Sequence, residues 1–538
     1  MAGAVAEPPW ERHGGDAGTE MATALDALDA VAAELESRAE TVAPASGREI
    51  RDILQAQTLM ARDPSLAEGI ATKIAGGLNA ARAVFEAFGV YRETLAGTGG
   101  YLAGRVADLD DVRDRTVARL LGLPRPGIPE SAEPFVLVAR DLAPADTALL
   151  DPTQVVAFVT EKGGPTSHTA ILAGAIGVPA VVACLGCMDV ADGAVVLVDG
   201  ASGIVRVDPT DSEIAEARAA AAARDHTVQV ISGPGVTKDG HPVPLFANIG
   251  GPQGVKAALA NGAEGVGLFR TEFLFFGRST PPTVDEQEIV YRAVLEAFPG
   301  RPVVVRVLDA GGEKALGFLP PAGVEVNPEL GQRGLRMLRR HPEVLAGQLR
   351  ALVRAAAGLS VQLKVMAPMV TDLDDARFFA DACRAAGIEH SGIMVEVPAA
   401  ALRLRDLAHE VEFVSIGTND LAQYTHAADR RVGGLARLQD PWQPALLDLV
   451  AIAATAALAA GKSCGVCGEA AADPLMACVL VGLGVTSLSM SAPALPLVRA
   501  VLARQTLDEC RAAANSARSA ATAAAARSAA RGVLEGGG

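Results

Sequence analysis

Cysteine is scarce: seven residues in 538, an odd number in a chain far larger than disulfide-stapled scaffolds. That excludes a disulfide framework and leaves reduced thiols as the expectation. Two Cys-x-x-Cys pairs occur, Cys184/Cys187 and Cys464/Cys467. They stand about 280 residues apart, far outside zinc-module spacing, and each lies in an apolar, strand-like context, so zinc is not expected. Positive charge is also short, with 47 basic against 63 acidic residues and a net charge of −16. A surface of that sign argues against nucleic acid and anionic membrane as partners. Long apolar runs are nearly missing. The stretch Leu475–Val498 carries no charge and is long enough to span, but it is broken by Gly482, Gly484, Pro493, Pro496 and three serines. It reads as a buried helix–strand–loop, so no membrane insertion is expected. The first residues lack the charged, apolar and cleavage regions of a secretory signal, and a cytoplasmic location is expected.

What is present begins with Val155–Thr160, an apolar, β-branched run that reads as a buried strand. Gly163-Gly164-Pro165-Thr166-Ser167-His168 follows, leading into Thr169-Ala170-Ile171-Leu172-Ala173. Strand, glycine turn and helix start put His168 in a helix's first turn, where unpaired N–H groups and the helix dipole stabilise an anion. A neutral imidazole is nucleophilic and titrates near physiological pH, which suits a reversible covalent carrier. A lone histidine there would read as a surface residue; the glycines, hydroxyls and preceding strand favour the carrier.

A chain of 538 residues holds several domains at about 150 residues each. Residues 1–18 carry Gly, Pro and charge without a period and are expected as a disordered tail. From Met21 the apolar spacing is helical, with segments at Ile50–Ala61, Leu66–Phe88 and Tyr101–Leu121, so 19–123 reads as a helical bundle. Pro124-Arg125-Pro126-Gly127-Ile128-Pro129 ends it. Short strands at Phe135–Ala139, Val155–Thr160, Ala180–Ala183, Val195–Val198 and Ile204–Val207 make 124–210 an α/β domain, and 211–227 a linker helix. Between 228 and 510, strand candidates alternate with helices: Val243–Asn248, Gly265–Phe269, Val303–Leu308, Leu363–Pro368, Gly392–Glu396, Phe413–Ile416, Ser463–Val466 and Ser487–Met490. Eight strands in that rhythm predict a TIM barrel. Residues 511–538 are expected as an Ala/Arg-rich tail, helical or disordered.

A barrel's reactive groups gather at the C-terminal ends of its strands. There this chain places Arg270-Thr271-Glu272, Arg306, Asp309 through Lys314, Gln332-Arg333-Gly334, Glu396, Thr418-Asn419-Asp420, Asp429-Arg430 and Cys467-Gly468-Glu469. Four arginines and a lysine at one mouth trap a compact polyanion, since guanidinium pairs bidentately with phosphate and carboxylate. Glu396 and Asp420 are able to hold a Mg²⁺ that bridges substrate oxygens. Taken singly, each arginine reads as a surface ion pair and each carboxylate as a helix cap; shared strand register makes the set informative.

The histidine motif, with Gly177-Val178-Pro179-Ala180-Val181, resembles the phosphohistidine motif of the phosphoenolpyruvate-utilising enzymes. Gly267 through Phe273, Gly392 through Ala399, and Ser415 through Tyr424 with Asp429-Arg430 resemble the phosphoenolpyruvate-binding domain of one branch, enzyme I of the bacterial sugar phosphotransferase system. The resemblance runs from about residue 20 to 510. It implies a helical HPr-binding bundle inserted in a swivelling α/β phosphohistidine domain, followed by a C-terminal (β/α)8 TIM barrel. It implies that phosphoenolpyruvate is bound by Arg270, Arg306, Lys314, Arg333, Asn419 and Arg430, with Mg²⁺ on Glu396 and Asp420. His168 would take the phosphoryl group and pass it to the carrier HPr, Cys467 would protonate the enolpyruvate carbon, and the barrel would form a homodimer.

Such transfer implies a large domain motion, with Asp211–Arg224 and Ser232–Gly240 as hinge candidates. Two features depart from the family pattern: Gly174 stands where an arginine usually follows Ile-x-Ala, and Met1–Gly15 does not match the usual Ser-Pro-Gly-Ile-Ala strand. They motivate an alternative, a non-catalytic phosphoenolpyruvate sensor. A dikinase- or synthase-like enzyme is the other alternative; the chain has no Walker-type loop and no room for a nucleotide-binding domain.

Overall fold

A computed structural model describes residues 7–12, 14–41, 48–98, 106–123, 131, 133–140, 142, 154–163, 170, 173, 178–200, 203–230, 233–276, 278–311, 316–319, 323, 325–430 and 432–536. The chain divides into two compact units, the second taking up the chain from Thr210.

In the first unit, helices Ala17–Thr41, Arg48–Ala61, Pro64–Ala75, Ala80–Thr98 and Val106–Leu121 bury one stripe each. Leu28, Val31, Leu35, Ile70, Ile74, Val84, Phe88 and Val112 make their common core. The single helix expected over Leu66–Phe88 is two. Gly77, at φ +98°, takes a left-handed turn that few side chains tolerate. The Asn79 side chain then accepts from Arg82 N at 2.9 Å and starts the next helix. The N-terminal stretch expected as a disordered tail is instead fastened here, from Glu7 onward. The Arg82 guanidinium stacks 3.9 Å from the Trp10 ring and donates to Glu7 Oε1 at 2.6 Å and to Pro8 O at 2.8 Å. Asn79 N donates to Glu11 O at 3.1 Å. A buried arginine keeps its charge only when such partners are supplied. Strands β1 (Phe135–Ala139), β2 (Val155–Thr160) and β3 (Ala180–Val181) form a parallel sheet, and β4 (Val196–Asp199) pairs antiparallel with β5 (Ile204–Val207).

The second unit opens with helix Asp211–Val230 and continues into a closed barrel. Its strands are β6 (Leu245–Ile249), β7 (Val266–Arg270), β8 (Pro302–Arg306), β9 (Gln362–Ala367), β10 (Ser391–Val395), β11 (Phe413–Ile416), β12 (Ser463–Val466) and β13 (Ser487–Met490). Each is parallel to its neighbours, and β13 returns to β6 with Leu488 opposite Leu245. This is the (β/α)8 architecture that the alternation predicts. Valine-rich strands such as β8 are buried because helices cover the outside. The helices start on side-chain caps: Thr283 and Thr506 form capping boxes with Glu286 and Glu509, and Asp372 accepts from Asp375 N.

Leu475–Val498 contains helix Pro474–Gly482, β13 and the start of helix Leu495–Leu502, as the glycine and proline pattern indicates. The stretch Gly434–Ala459 is long and apolar enough to cross a membrane, but its helix Pro444–Ala459 buries Leu446, Leu447, Val450 and Ala454 in the barrel core. The Ala/Arg-rich tail forms helices Leu507–Arg518 and Ala523–Gly536, whose alanine faces, Ala513, Ala517, Ala526 and Ala530, join the same core. The segment proposed as a second hinge is, from Gly233 on, bonded to the barrel: Gly235 N donates to Glu264 Oε1 at 2.9 Å, and Lys238 N to Gln505 O at 2.8 Å. All seven cysteines are free thiols, as their scarcity suggests.

Close approach explains one glycine. A Cβ on Gly482 would collide with the carbonyl of Cys510 and stand 2.8 Å from Arg511 N. Gly482→Ala is therefore expected to lower stability by about 1–3 kcal/mol through overpacking. Thermal unfolding followed by circular dichroism measures it, and an unchanged midpoint would show that helix 507–518 does not press on the barrel.

Candidate functional site at the barrel mouth

The polar residues at the strand ends form one buried ion-pair cluster. Arg306, the last residue of β8, donates from Nη2 to Glu272 Oε1 at 2.7 Å, and its Nη1 lies 3.4 Å from Asp309 Oδ2. Arg333 reaches the same Asp309 Oδ2 at 2.9 Å. Its Nη1 also contacts Glu329 Oε2 at 2.6 Å, Asp420 Oδ1 at 3.0 Å and the Tyr424 hydroxyl at 3.2 Å. Arg430 Nη1 lies 3.3 Å from Asp420 Oδ2. Desolvating charges costs several kcal/mol per ion, so a cluster this deep persists only because each ion has more than one partner.

Burial alone would push the Asp309 carboxyl up, but Arg306 and Arg333 outweigh it and hold it below the usual carboxylate range. The same carboxylates push both guanidinium groups further up against their own desolvation. Glu396 goes the other way. Burial first, then the charges of Asp420 and Asp309, raise its carboxyl to about 8. Carboxylates thus outnumber the arginines that pair with them, Glu272, Asp309, Glu329, Asp420 and Glu396 against Arg306, Arg333 and Arg430, and Glu396 holds a proton at neutral pH.

Glu396 follows β10 directly. Its Oε1 accepts from Met369 N at 2.6 Å, and its Oε2 would lie 2.9 Å from a Cβ on Gly417. Only a glycine in the Gly417-Thr418-Asn419-Asp420 turn leaves room for that carboxylate. Asn419 Oδ1 accepts from Glu469 N at 3.2 Å and ties the β11 turn to the β12 turn. Cys467, one residue past β12, is buried, and its thiol donates to Ile416 O at 3.6 Å. Asn248 of β6 donates to Cys467 O at 3.0 Å and accepts from the Ser489 hydroxyl. Burial and the Glu396 charge push the thiol up to about 11, against the pull of the Ser415 hydroxyl, Arg306 and Arg270. The sulfur therefore carries its proton at neutral pH.

Arg270, at the end of β7, has no ion-pair or hydrogen-bond partner among the described residues, although its charge is felt at Cys467. A paired, buried framework and one uncommitted guanidinium together suit an incoming polyanion. Arg270 and Arg306 end β7 and β8, Glu396 and Cys467 follow β10 and β12, Asn419 and Asp420 open helix Thr418–His426 after β11, and Arg333 and Arg430 reach the same cluster from loops; two expected residues stand apart. His168 and Lys314 lie outside the described residues. The sequence reading left Glu272, Asp309, Glu329 and Tyr424 without roles; for Asp309 the signal was its place three residues beyond Arg306 at a strand end.

The donor set fits a divalent cation held jointly with a substrate. No group of three or more His, Cys, Asp or Glu able to hold an ion occurs among the described residues. Two carboxylates, Glu396 and Asp420, are what the chain offers, and a hard cation commonly takes one or two carboxylates plus substrate oxygens. The unneutralised Glu396 is the observation that favours a cation here, and Asp420 would loosen its hold on Arg333 or Arg430 to reach it.

Three family models match the chain: the PEP-binding domain of PEP-utilising enzymes over residues 224–507, their mobile domain over 131–203 and their N-terminal domain over 3–105. The chain is 60% identical over 539 residues to a phosphoenolpyruvate-protein phosphotransferase of Streptomyces coelicolor, covering 100% of this chain and 96% of that one. Proteins of the same name from Haloferax volcanii and Bacillus subtilis are 42% and 38% identical, over 90% and 88% of this chain and 87% and 86% of theirs.

The raised Glu396 carboxyl has a consequence for stability. A folded-state value of about 8 lies above the ordinary 4.5, so the folded protein binds this proton more tightly than the unfolded chain. The contribution is whole in acid and is lost as pH rises through about 8. Glu396→Gln should therefore melt progressively higher than the parent between pH 6 and pH 9, by several degrees at the alkaline end. Millimolar Mg²⁺ with phosphoenolpyruvate should close that gap by raising the parent alone. A melting difference independent of pH would contradict the charge excess.

Proposed function

Because the chain belongs to the phosphoenolpyruvate-utilising enzymes, we propose that it takes the phosphoryl group of phosphoenolpyruvate onto His168 and hands it to a histidine of a carrier protein, as a phosphoenolpyruvate-protein phosphotransferase. The observation that carries the reading is the barrel-mouth cluster: fixed arginines, the Arg270 guanidinium without a partner among the described residues, and a buried protonated thiol, all at one mouth.

The chemistry asks little covalent work of the barrel. Phosphoryl transfer proceeds largely by positioning and charge neutralisation. Arg270 is free to pair with the substrate's phosphate, while Arg306 and Arg333, held by Glu272 and Asp309, keep a set geometry and need no reorganisation as charge develops. The imidazole of His168 attacks phosphorus, the bond from phosphorus to the enol oxygen breaks, and its electron pair stays on that oxygen. Cys467 then gives its proton to the enolate carbon, pyruvate leaves, and the thiolate recovers a proton from solvent. A sulfur that is protonated at neutral pH is suited to this donation. When bound, the divalent cation, proposed as Mg²⁺ on Glu396 and Asp420, would neutralise substrate oxygens. Asn419, Arg430 and Lys314 complete the proposed substrate contacts.

The carrier is proposed to be HPr, docked on the helical domain, with the sugar phosphotransferase system downstream. A homodimer through the barrel and a cytoplasmic location complete the proposal.

Incubation with labelled phosphoenolpyruvate and Mg²⁺ tests the reading: acid-labile label on the His168 peptide, chased by HPr, is expected without any nucleotide. His168→Ala should abolish both label and transfer, and a labelled variant would sink the assignment. Cys467→Ala should slow pyruvate formation by about 10²–10⁴-fold, the usual worth of a positioned acid. A near-parental rate would remove Cys467 from the proton's path.

A further inference from the structure

Behind the mouth, on the side away from the substrate, lies a second layer of polar groups that the reaction itself does not use. Gln348 sits within helix Pro342–Ala356, on the apolar face that also carries Leu345, Leu349 and Leu352. It is fully buried. A glutamine there needs partners for three polar valences, and it has them. Its Oε1 accepts from Leu308 N at 2.9 Å. Its Nε2 donates to Thr271 Oγ1 at 3.0 Å and to the Tyr291 hydroxyl at 3.0 Å. Thr271, buried as well, donates in turn to Arg306 O at 3.0 Å. Tyr291 donates to Gln287 Oε1 at 3.1 Å, and Gln287 Nε2 to Pro282 O at 3.0 Å.

The positions of the bonded groups are the informative ones. Thr271 follows Arg270, and Leu308 lies between Arg306 and Asp309. One side chain on an outer helix therefore ties the two strand ends that carry the substrate-facing guanidinium groups. Their distance is not fixed by strand pairing beyond Arg270 and Arg306, where the β7–β8 ladder ends. We propose that Gln348 and Thr271 are positioning residues: beyond the last ladder pair, Arg270 and Arg306, they pin the chain that follows each strand and so keep the two guanidinium groups aimed at one phosphate. This rests on the proposed phosphotransferase reaction and assigns it two residues that never touch substrate.

Geometry gives the expected size. Misplacement of a binding group by about 1 Å can cost about 10²-fold in rate, and a fully satisfied buried network is the means by which a protein fixes such distances. Tyr291, whose hydroxyl burial pushes well up, stays a neutral partner at any working pH.

The test is a double-mutant cycle in kcat/KM for phosphoenolpyruvate, measured on the full chain with HPr and Mg²⁺ as pyruvate release. Thr271→Val keeps shape and removes the hydroxyl; Thr271→Ser restores it. Thr271→Val should lower kcat/KM about ten- to a hundredfold, and Thr271→Ser should stay within about threefold of the parent. Gln348→Met should match Thr271→Val, and the double variant should fall no more than about threefold below the worse single, because both break one network. Circular dichroism melts fix an assay temperature at which every variant is folded. Parental activity in Thr271→Val, or losses that multiply in the double variant, would overturn the inference. Should Gln348→Met not fold, the Val/Ser pair at Thr271 decides alone. A parent that releases no pyruvate would bring down the functional reading, and this inference with it.

Discussion

Asp309 accepts from Arg333 at 2.9 Å and faces Arg306 at 3.4 Å, and the rest of the mouth is arranged around that shared carboxylate. Buried guanidinium groups cannot be left without anions, and anions this deep cannot be left without cations. Strand register brings the two kinds together: β7, β8, β10, β11 and β12 end at one rim, so residues far apart in sequence share one low-dielectric space. Carboxylates outnumber the arginines paired with them. Glu396 is crowded by Asp420 and Asp309, and it resolves the excess by keeping a proton. The empty charge slot and the free Arg270 are complementary features: one calls for a cation, the other for an anion, and a metal-bound phosphate ester supplies both.

The same constraint explains why the support lies so far from the chemistry. Ion pairs in low dielectric are strong but tolerate small shifts, whereas a hydrogen bond loses its value within a few tenths of an ångström. The bonds from Gln348 to Thr271 and Leu308 supply what Coulomb attraction alone lacks, a fixed distance between two strand ends. The Asn248–Ser489 pair plays a comparable part beneath Cys467. Around each, the apolar barrel core excludes the water that would compete for these donors.

Much of this was legible in the sequence where local chemistry decides structure. The strands Phe413–Ile416, Ser463–Val466 and Ser487–Met490 stand where the apolar runs between helix signals put them. The residues proposed to face substrate were legible because a parallel barrel places the last residue of each strand at one end. What escaped was set by contacts distant in the chain. Helix 66–88 read as continuous because Gly76-Gly77 and Asn79 are short signals inside a strong apolar period. The alanine-rich C-terminal helices read as a tail because alanine carries a weak pattern, and only the close seat at Gly482 reveals how they pack. Gln348 was invisible as a functional residue: nothing local distinguishes it from a polar interruption of an apolar helix face.

Substrate and cation complete a site in which neighbouring carboxylates and burial hold Glu396 protonated. Isothermal titration of phosphoenolpyruvate with Mg²⁺ into the His168→Ala protein, repeated at pH 7 in buffers of different ionisation enthalpy, counts the protons displaced. The account predicts about one proton released per site, as Glu396 ionises on taking up the cation, and none in Glu396→Gln. Binding without proton release in the parent would contradict it.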